Sequence, residues 1–236
     1  MRLVGVGVGP GDPELVTVKG VRELREAAVV FVPVTDTGEV GRAEATVLAH
    51  VDAGRVRRLR FAIHDEDART EAWDRAGAEV AAALRDNGSA AFATIGDPNV
   101  YSTFTYLAAT VQALLPEVEI ATVPGITAMQ DLAARSGTVL VEGTETLALL
   151  PFTAGEAVLE QALATFDTVV AYKGGRRFDA VLDVVRRAGR LDDAVYGARL
   201  GLDGEQVEGA EEHQGPAHYL STLLVPAKRS ARGGKL

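Results

Sequence analysis

Short apolar runs that stop at glycine and proline constrain this chain more than any other feature. Ala90 to Ile95 reads as a buried strand and breaks at Gly96-Asp97-Pro98-Asn99-Val100-Tyr101-Ser102-Thr103-Phe104. Leu3 to Val8 reads the same way and runs into Gly9-Pro10-Gly11-Asp12-Pro13, while Glu119 to Val123 runs into Pro124-Gly125-Ile126-Thr127-Ala128. Each break leads toward a helical pattern. In an open α/β sheet, loops of this kind at the carboxyl ends of strands are where ligands bind. The set predicts a shared cleft for a small molecule.

The rest of the chain repeats the alternation. Helical patterns cover Thr17–Ala27, Arg42–His50, Glu71–Asp86 and Ser102–Leu115, the third stopped by Asn87-Gly88 and the last with Ser102 as its expected N-cap. Val29–Val32 and Val56–Phe61 supply further strands. That order predicts an α/β fold with a mainly parallel sheet covered on both faces. Val123-Pro124-Gly125 is a natural joint, dividing the chain into an N-terminal α/β domain over 1–123 and a C-terminal α/β domain over 124–236. In the second, Leu147–Leu150, Thr168–Tyr172, Ala194–Ala198 and Tyr219–Val225 read as strands, and Gly155–Leu163 and Phe178–Ala188 as helices. Gly201–Gln214 is acidic and reads as a solvated hairpin or loop.

Composition narrows the chemistry. With 24 Lys and Arg against 33 Asp and Glu the net charge is −9, which disfavours general nucleic-acid binding. The chain has no cysteine, so disulfides, thiolate metal sites and cysteine nucleophiles are excluded. His50, His64, His213 and His218 show no metal-ligand spacing, and no metal is expected. No apolar run approaches the roughly 20 residues of a membrane span, and no leader pattern is read, so a cytoplasmic protein is expected. The basic, glycine-rich stretch from Lys228 to Leu236 reads as a frayed tail rather than a functional arm.

The glycine runs fit no nicotinamide fingerprint. Pro10 stands where the third glycine belongs, and no acidic residue follows Val32-Pro33-Val34 to hold a ribose. Gly96 permits a strained turn and Pro98 fixes the direction after Asp97. Asp97 then has two readings, an acceptor for a ligand hydroxyl or amine and an Asx turn or cap. Tyr101 packs on a flat ligand or on the sheet. Gly125 lets backbone approach closely, and Thr127 offers a hydroxyl to a ligand or to a helix N-terminus.

These three loops, in this order, resemble the tetrapyrrole (corrin/porphyrin) methylase family. The likeness spans Leu3 to about Val225 and is strongest toward members that methylate C20 of precorrin-2 in cobalamin synthesis. It rests further on Phe31-Val32-Pro33-Val34, on Tyr101-Ser102-Thr103-Phe104 and on Tyr219-Leu220-Ser221-Thr222-Leu223-Leu224-Val225. The resemblance implies two α/β domains with a ligand cleft between them, S-adenosylmethionine as cofactor, a tetrapyrrole substrate and a homodimer. It implies a cofactor site of Pro10, Gly96, Asp97, Val100, Tyr101, Thr127 and Ala128, with Tyr172 and Thr222 toward the adenosine. Tyr172 stands where this subgroup usually has methionine, and Asn99 and Met129-Gln130-Asp131 are also less typical. For the substrate's carboxylates, Lys173, Arg176 and Arg177 are the best-placed cations, the two arginines having a second reading as solvated charges at a helix start, and Asp12 lies in a cleft-facing loop; Asp12, Asp36 and His64 are candidate bases. Three alternatives stay open: the same fold on another precorrin or in diphthine synthesis, a nicotinamide oxidoreductase, and a non-catalytic binding domain.

Overall fold

The structure, a computed structural model, describes residues 1–34, 40–61, 66–172, 175, 178–215, 217, 218 and 220–229, with backbone only at 66–69. The chain forms two compact units, Met1–Thr127 and Ala128–Leu236.

The first unit alternates strand and helix: β1 (Arg2–Gly7), α1 (Val18–Glu26), β2 (Val29–Val34), α2 (Arg42–Leu48), β3 (Val56–Arg60), α3 (Glu66–Asn87), β4 (Ser89–Thr94), α4 (Phe104–Leu114) and β5 (Glu119–Val123). All strand pairs are parallel, in the order β3-β2-β4-β1-β5. Successive residues of each central strand feed opposite faces, so these strands carry continuous apolar runs rather than alternation. Leu3, Phe31 and Phe92 pack with Val80, Leu84, Leu107 and Val111 of α3 and α4. Val4, Val30, Val32 and Ala91 pack on the other face with Leu24 of α1 and Val47 of α2. The Arg57-Arg58-Arg60 stretch lies on the edge strand β3, where Arg58 pairs with Glu44 of α2 at 2.9 Å.

Local signals set the helix ends. Thr17 caps α1, its hydroxyl accepting from the Gly20 N–H at 3.0 Å. Gly88, at φ +78°, ends α3 as expected of the left-handed residue after a helix. The cap of α4 differs from expectation. Thr103 occupies the cap position in helical conformation without a side-chain bond, and Ser102, one residue earlier, accepts from the Phe104 N–H at 3.1 Å. The hydroxyl does the capping work from outside the helix because Thr103 already turns with it.

The second unit contains α5 (Ala128–Ser136), β6 (Leu147–Pro151), α6 (Glu156–Thr165), β7 (Thr168–Tyr172), α7 (Phe178–Arg187), β8 (Val195–Ala198), β9 (Gln206–Gly209) and β10 (Ser221–Val225). Its sheet is mixed, in the order β6-β7-β10-β8-β9. Only β6 and β7 pair in parallel; β10 runs antiparallel to both β7 and β8, and β9 antiparallel to β8. One face packs Val169, Ala171, Tyr196 and Leu223 against α6 and α7. The other packs Val170 and Leu224 around Leu132 of α5. Gly197 admits this helix, since a Cβ there would lie 2.5 Å from Leu132 Cδ1.

The acidic stretch 201–214 is less solvated than its composition suggests. It holds β9, and His213, its side chain only 4% exposed, sits 2.6 Å from Glu208 Oε1. The His213 ring packs beside Tyr196 and Phe178. Burial of this one imidazole draws the hairpin onto the core.

Candidate functional site

The three glycine breaks follow β1, β4 and β5, which are neighbours in the sheet. The structure brings them into direct contact. Val8 N–H donates to Thr94 O at 2.9 Å and Gly96 N–H donates to Gly9 O at 2.8 Å, an antiparallel bridge that extends the β1–β4 ladder beyond the strands. Gly9 and Gly96 hold φ of +77° and +70°, where an L side chain is strained.

Gly7 and Gly125 serve a different purpose, which is close approach. A Cβ on Gly125 would lie 2.1 Å from Gly96 O and 2.7 Å from Gly7 C. A Cβ on Gly7 would lie 2.5 Å from Gly96 O and 2.6 Å from Gly125 N. Backbone therefore touches backbone at the carboxyl ends of three strands, leaving a floor without side chains.

Asp97 locks that floor. It is 9% exposed, and both its oxygens are engaged. Oδ1 accepts from Asn99 N–H at 2.8 Å, closing an Asx turn, and Oδ2 accepts from Gly125 N–H at 3.0 Å. The turn reading of Asp97 is thus realised, with a clasp across to the β5 loop that no local pattern announces. A carboxylate offers about four lone-pair positions, so further acceptance remains chemically open.

The segment after Asp97 is fixed from both sides. Val100 N–H donates to Asp97 O at 3.3 Å. The Ser102 and Thr94 hydroxyls meet at 3.0 Å. Phe104 is buried under β1, where a Cβ on Gly5 would come within 2.4 Å of its ring. Between these anchors Tyr101 takes φ +50°, an outlying conformation for an aromatic residue that costs about 1–2 kcal/mol. Its ring is 45% exposed, and partial burial raises its phenol above the ordinary value.

Helix α2 holds the β1 loop from behind. Thr46, fully buried, donates its hydroxyl to Gly11 O at 3.1 Å, and His50 Nε2 lies 3.0 Å from Pro13 O, so Nε2 carries the proton. Pro10 and Gly11 are buried, and Asp12 caps the turn Pro13–Leu15 by accepting from Glu14 N–H at 2.8 Å. Sequence reasoning passed over Thr46 and His50, which act from α2 and from the turn just past its C-cap Ala49. Thr46→Val should leave Gly11 O without its buried donor and cost about 1–2 kcal/mol. Thermal unfolding should show a midpoint lower by roughly 2–8 °C.

In the second unit, Ala128, Tyr172 and Thr222 also converge. Tyr172 and Thr222 are register partners between β7 and β10. The Tyr172 hydroxyl accepts from Met129 N–H at 2.9 Å, next to Ala128 at the start of α5. The tyrosine in place of a methionine thus binds an N-terminal helix amide. Thr222 is 2% exposed, paired with Tyr172 of β7 on one side and Gly197 of β8 on the other. Lys173, Arg176, Arg177, Asp36 and His64 lie outside the described residues, as does Tyr219. Among the described residues no group of three or more His, Asp or Glu is placed to hold a metal ion.

Comparison with known proteins places the whole chain beside a set of methyltransferases. The chain is 34% identical over 237 residues to precorrin-2 C(20)-methyltransferase of a Sinorhizobium species, covering 95% of each chain. It is 30% identical over 231 residues to cobalt-precorrin-2 C(20)-methyltransferase of Salmonella typhimurium, again covering 95% of each. Its fold matches uroporphyrin-III C-methyl transferase from Thermus thermophilus, a structure complexed with S-adenyl homocysteine, with a TM-score of 0.67 at 22% identity over 95% of this chain and 97% of that one. The family profile of the Tetrapyrrole (Corrin/Porphyrin) Methylases matches residues 2–213, which takes in all three glycine turns and most of the second unit. The chain belongs to that family.

Proposed function

We propose that the protein transfers a methyl group from S-adenosylmethionine to C20 of precorrin-2, or of its cobalt complex, in cobalamin biosynthesis. The observation that carries this reading is the end-to-end likeness to relatives of that name at 30–34% identity. The geometry supports it. Gly7 and Gly125 leave no room for a Cβ and Gly96 holds a positive φ, so a ligand at this floor meets backbone groups and needs no charged side chain.

The donor's sulfonium supplies a methyl already activated for in-line attack. What the chain contributes is position, which by itself can lower a barrier by several kcal/mol. The donor-binding set on this reading is Pro10, Gly96, Asp97, Val100 and Thr127, with Ala128, Tyr172 and Thr222 from the second unit. Asp97 orients the floor, and the Thr46 and His50 donors keep Gly11 to Pro13 in place. The substrate's electron-rich C20 is its own nucleophile, and it loses one proton after the methyl is added. Asp12 is committed to its turn. Lys173 and Arg176 remain the proposed partners of the substrate carboxylates. We assign the protein to the cytoplasm as a homodimer; in support of the first, no helix among the described residues is long and apolar enough to cross a membrane.

Incubation with S-adenosylmethionine and either metal-free or cobalt-loaded precorrin-2 should give one added methyl, placed at C20 by NMR. S-adenosylhomocysteine at a hundred times its Kd should stabilise the protein by about 2.7 kcal/mol and raise the melting midpoint by roughly 5–11 °C. Methylation at another carbon would move the enzyme to a different step on the same class of substrate. No midpoint shift at millimolar ligand would end the reading.

A further inference from the structure

Tyr101 is held in a backbone conformation that glycine or asparagine would adopt at lower cost. If the chain only needed a turn here, a smaller residue would serve. The surroundings leave no freedom to relax: the Asp97 turn fixes the chain before it, and the Ser102–Thr94 hydroxyl contact and buried Phe104 fix it after. Strain kept in place by so many contacts points to a use for the side chain itself. That side chain is a half-exposed aromatic ring beside the carboxyl ends of β4 and β1.

We infer that Tyr101 is a stacking platform for the flat tetrapyrrole, and so a specificity-determining residue for the acceptor rather than a contact of the methyl donor. This rests on the methyltransferase reading above. A ring fixed at its backbone offers a large contact area with little side-chain entropy to lose. It also solves an electrostatic problem. The chain carries a net charge of −9, and the substrate is a polycarboxylate. Contact through an uncharged aromatic face gains affinity without adding to the repulsion. Partial burial favours the neutral phenol, whose O–H is able to donate to a carboxylate.

The test is a pair of titrations on the full chain, with uroporphyrin III as the flat polycarboxylated probe, followed by its Soret band, and S-adenosylhomocysteine, followed by calorimetry. Tyr101→Gly should weaken the probe by about tenfold or more, while Tyr101→Phe stays within about threefold. S-adenosylhomocysteine affinity should hold within about twofold in both variants. Because glycine suits φ +50°, Tyr101→Gly should melt no lower than the parent protein. Equal probe affinity in the parent and Tyr101→Gly would overturn the assignment, as would no binding of the probe by the parent. A matching loss of S-adenosylhomocysteine affinity would return the ring to the donor. Absence of C20 methylation by the parent protein bears on the reaction and leaves these titrations readable.

Discussion

Gly125→Ala should abolish S-adenosylhomocysteine binding and lower the melting midpoint by roughly 6–12 °C. The new methyl group would sit 2.1 Å from Gly96 O and 2.7 Å from Gly7 C. Both obstacles are backbone, so no rotamer change relieves the clash. One of three strand ends must move, and the bridge from Gly96 to Gly9 or the bond from Gly125 to Asp97 must open. Overpacking of this severity costs about 3 kcal/mol, which converts to the stated shift at about 2–4 °C per kcal/mol for a chain of this size. Gly88→Ala is the control. Its φ is positive, +78°, unlike that of Gly125, and a Cβ there meets nothing within 4 Å, so it should lose about 1 kcal/mol through backbone strain and keep full ligand affinity. Wild-type affinity in Gly125→Ala would show that the fused turns do not form the ligand floor.

Asp97→Ala should weaken S-adenosylhomocysteine by about a hundredfold or more and cost about 2–4 kcal/mol of stability. Two backbone N–H groups, of Asn99 and Gly125, would lose a charged acceptor in a part-buried setting. Loss of the Asx turn would also free the segment leading to Tyr101. Asp97→Asn should fall between alanine and the parent. Its amide oxygen is able to serve one N–H, but its NH2 group would face the other. Calorimetric titration and thermal unfolding of the three proteins give the ranking. A melting midpoint for Asp97→Ala within a degree of the parent would show the clasp to be dispensable.

The first unit was readable because its inner strands β1, β2 and β4 are buried on both faces, and β1 and β4 run into turns whose glycines have one conformational meaning. Val29 to Val32 and Ala90 to Ile95 needed no partner to be recognised, and Asn87-Gly88 announced its own turn. The fused glycine floor was readable only in outline. Gly9 and Gly96 show their purpose locally, through positive φ, but Gly7 and Gly125 are small for the sake of residues far along the chain. The same holds for Asp97. Its Asx turn is a two-residue matter, while the bond to Gly125 spans 28 positions and depends on β4 and β5 flanking β1. Thr46 and His50 were missed because a threonine on a short helix and a histidine in the turn after it carry no mark of which carbonyl they will meet. In the second unit the antiparallel course of β10 had no signature, since an apolar strand reads alike in either direction. The hairpin read as one option for 201–214 forms, but its acidic residues hid how far it is drawn onto the core, through the buried Ala210 and His213.

The place of β10 in its sheet has a consequence for biosynthesis. It lies between β7 and β8, so a nascent chain that has reached residue 210 holds a β6–β7 pair and a β8–β9 hairpin with no strand between them. The first unit has all five of its strands by Val123 and is able to fold on the ribosome at that length. The second must leave the facing edges of β7 and β8 unpaired, their backbone groups open to other strands, until Ser221–Val225 emerges to zip them together. Translation speed through the stretch before that strand thus sets how long a sticky, half-made sheet is offered to chaperones and to other chains.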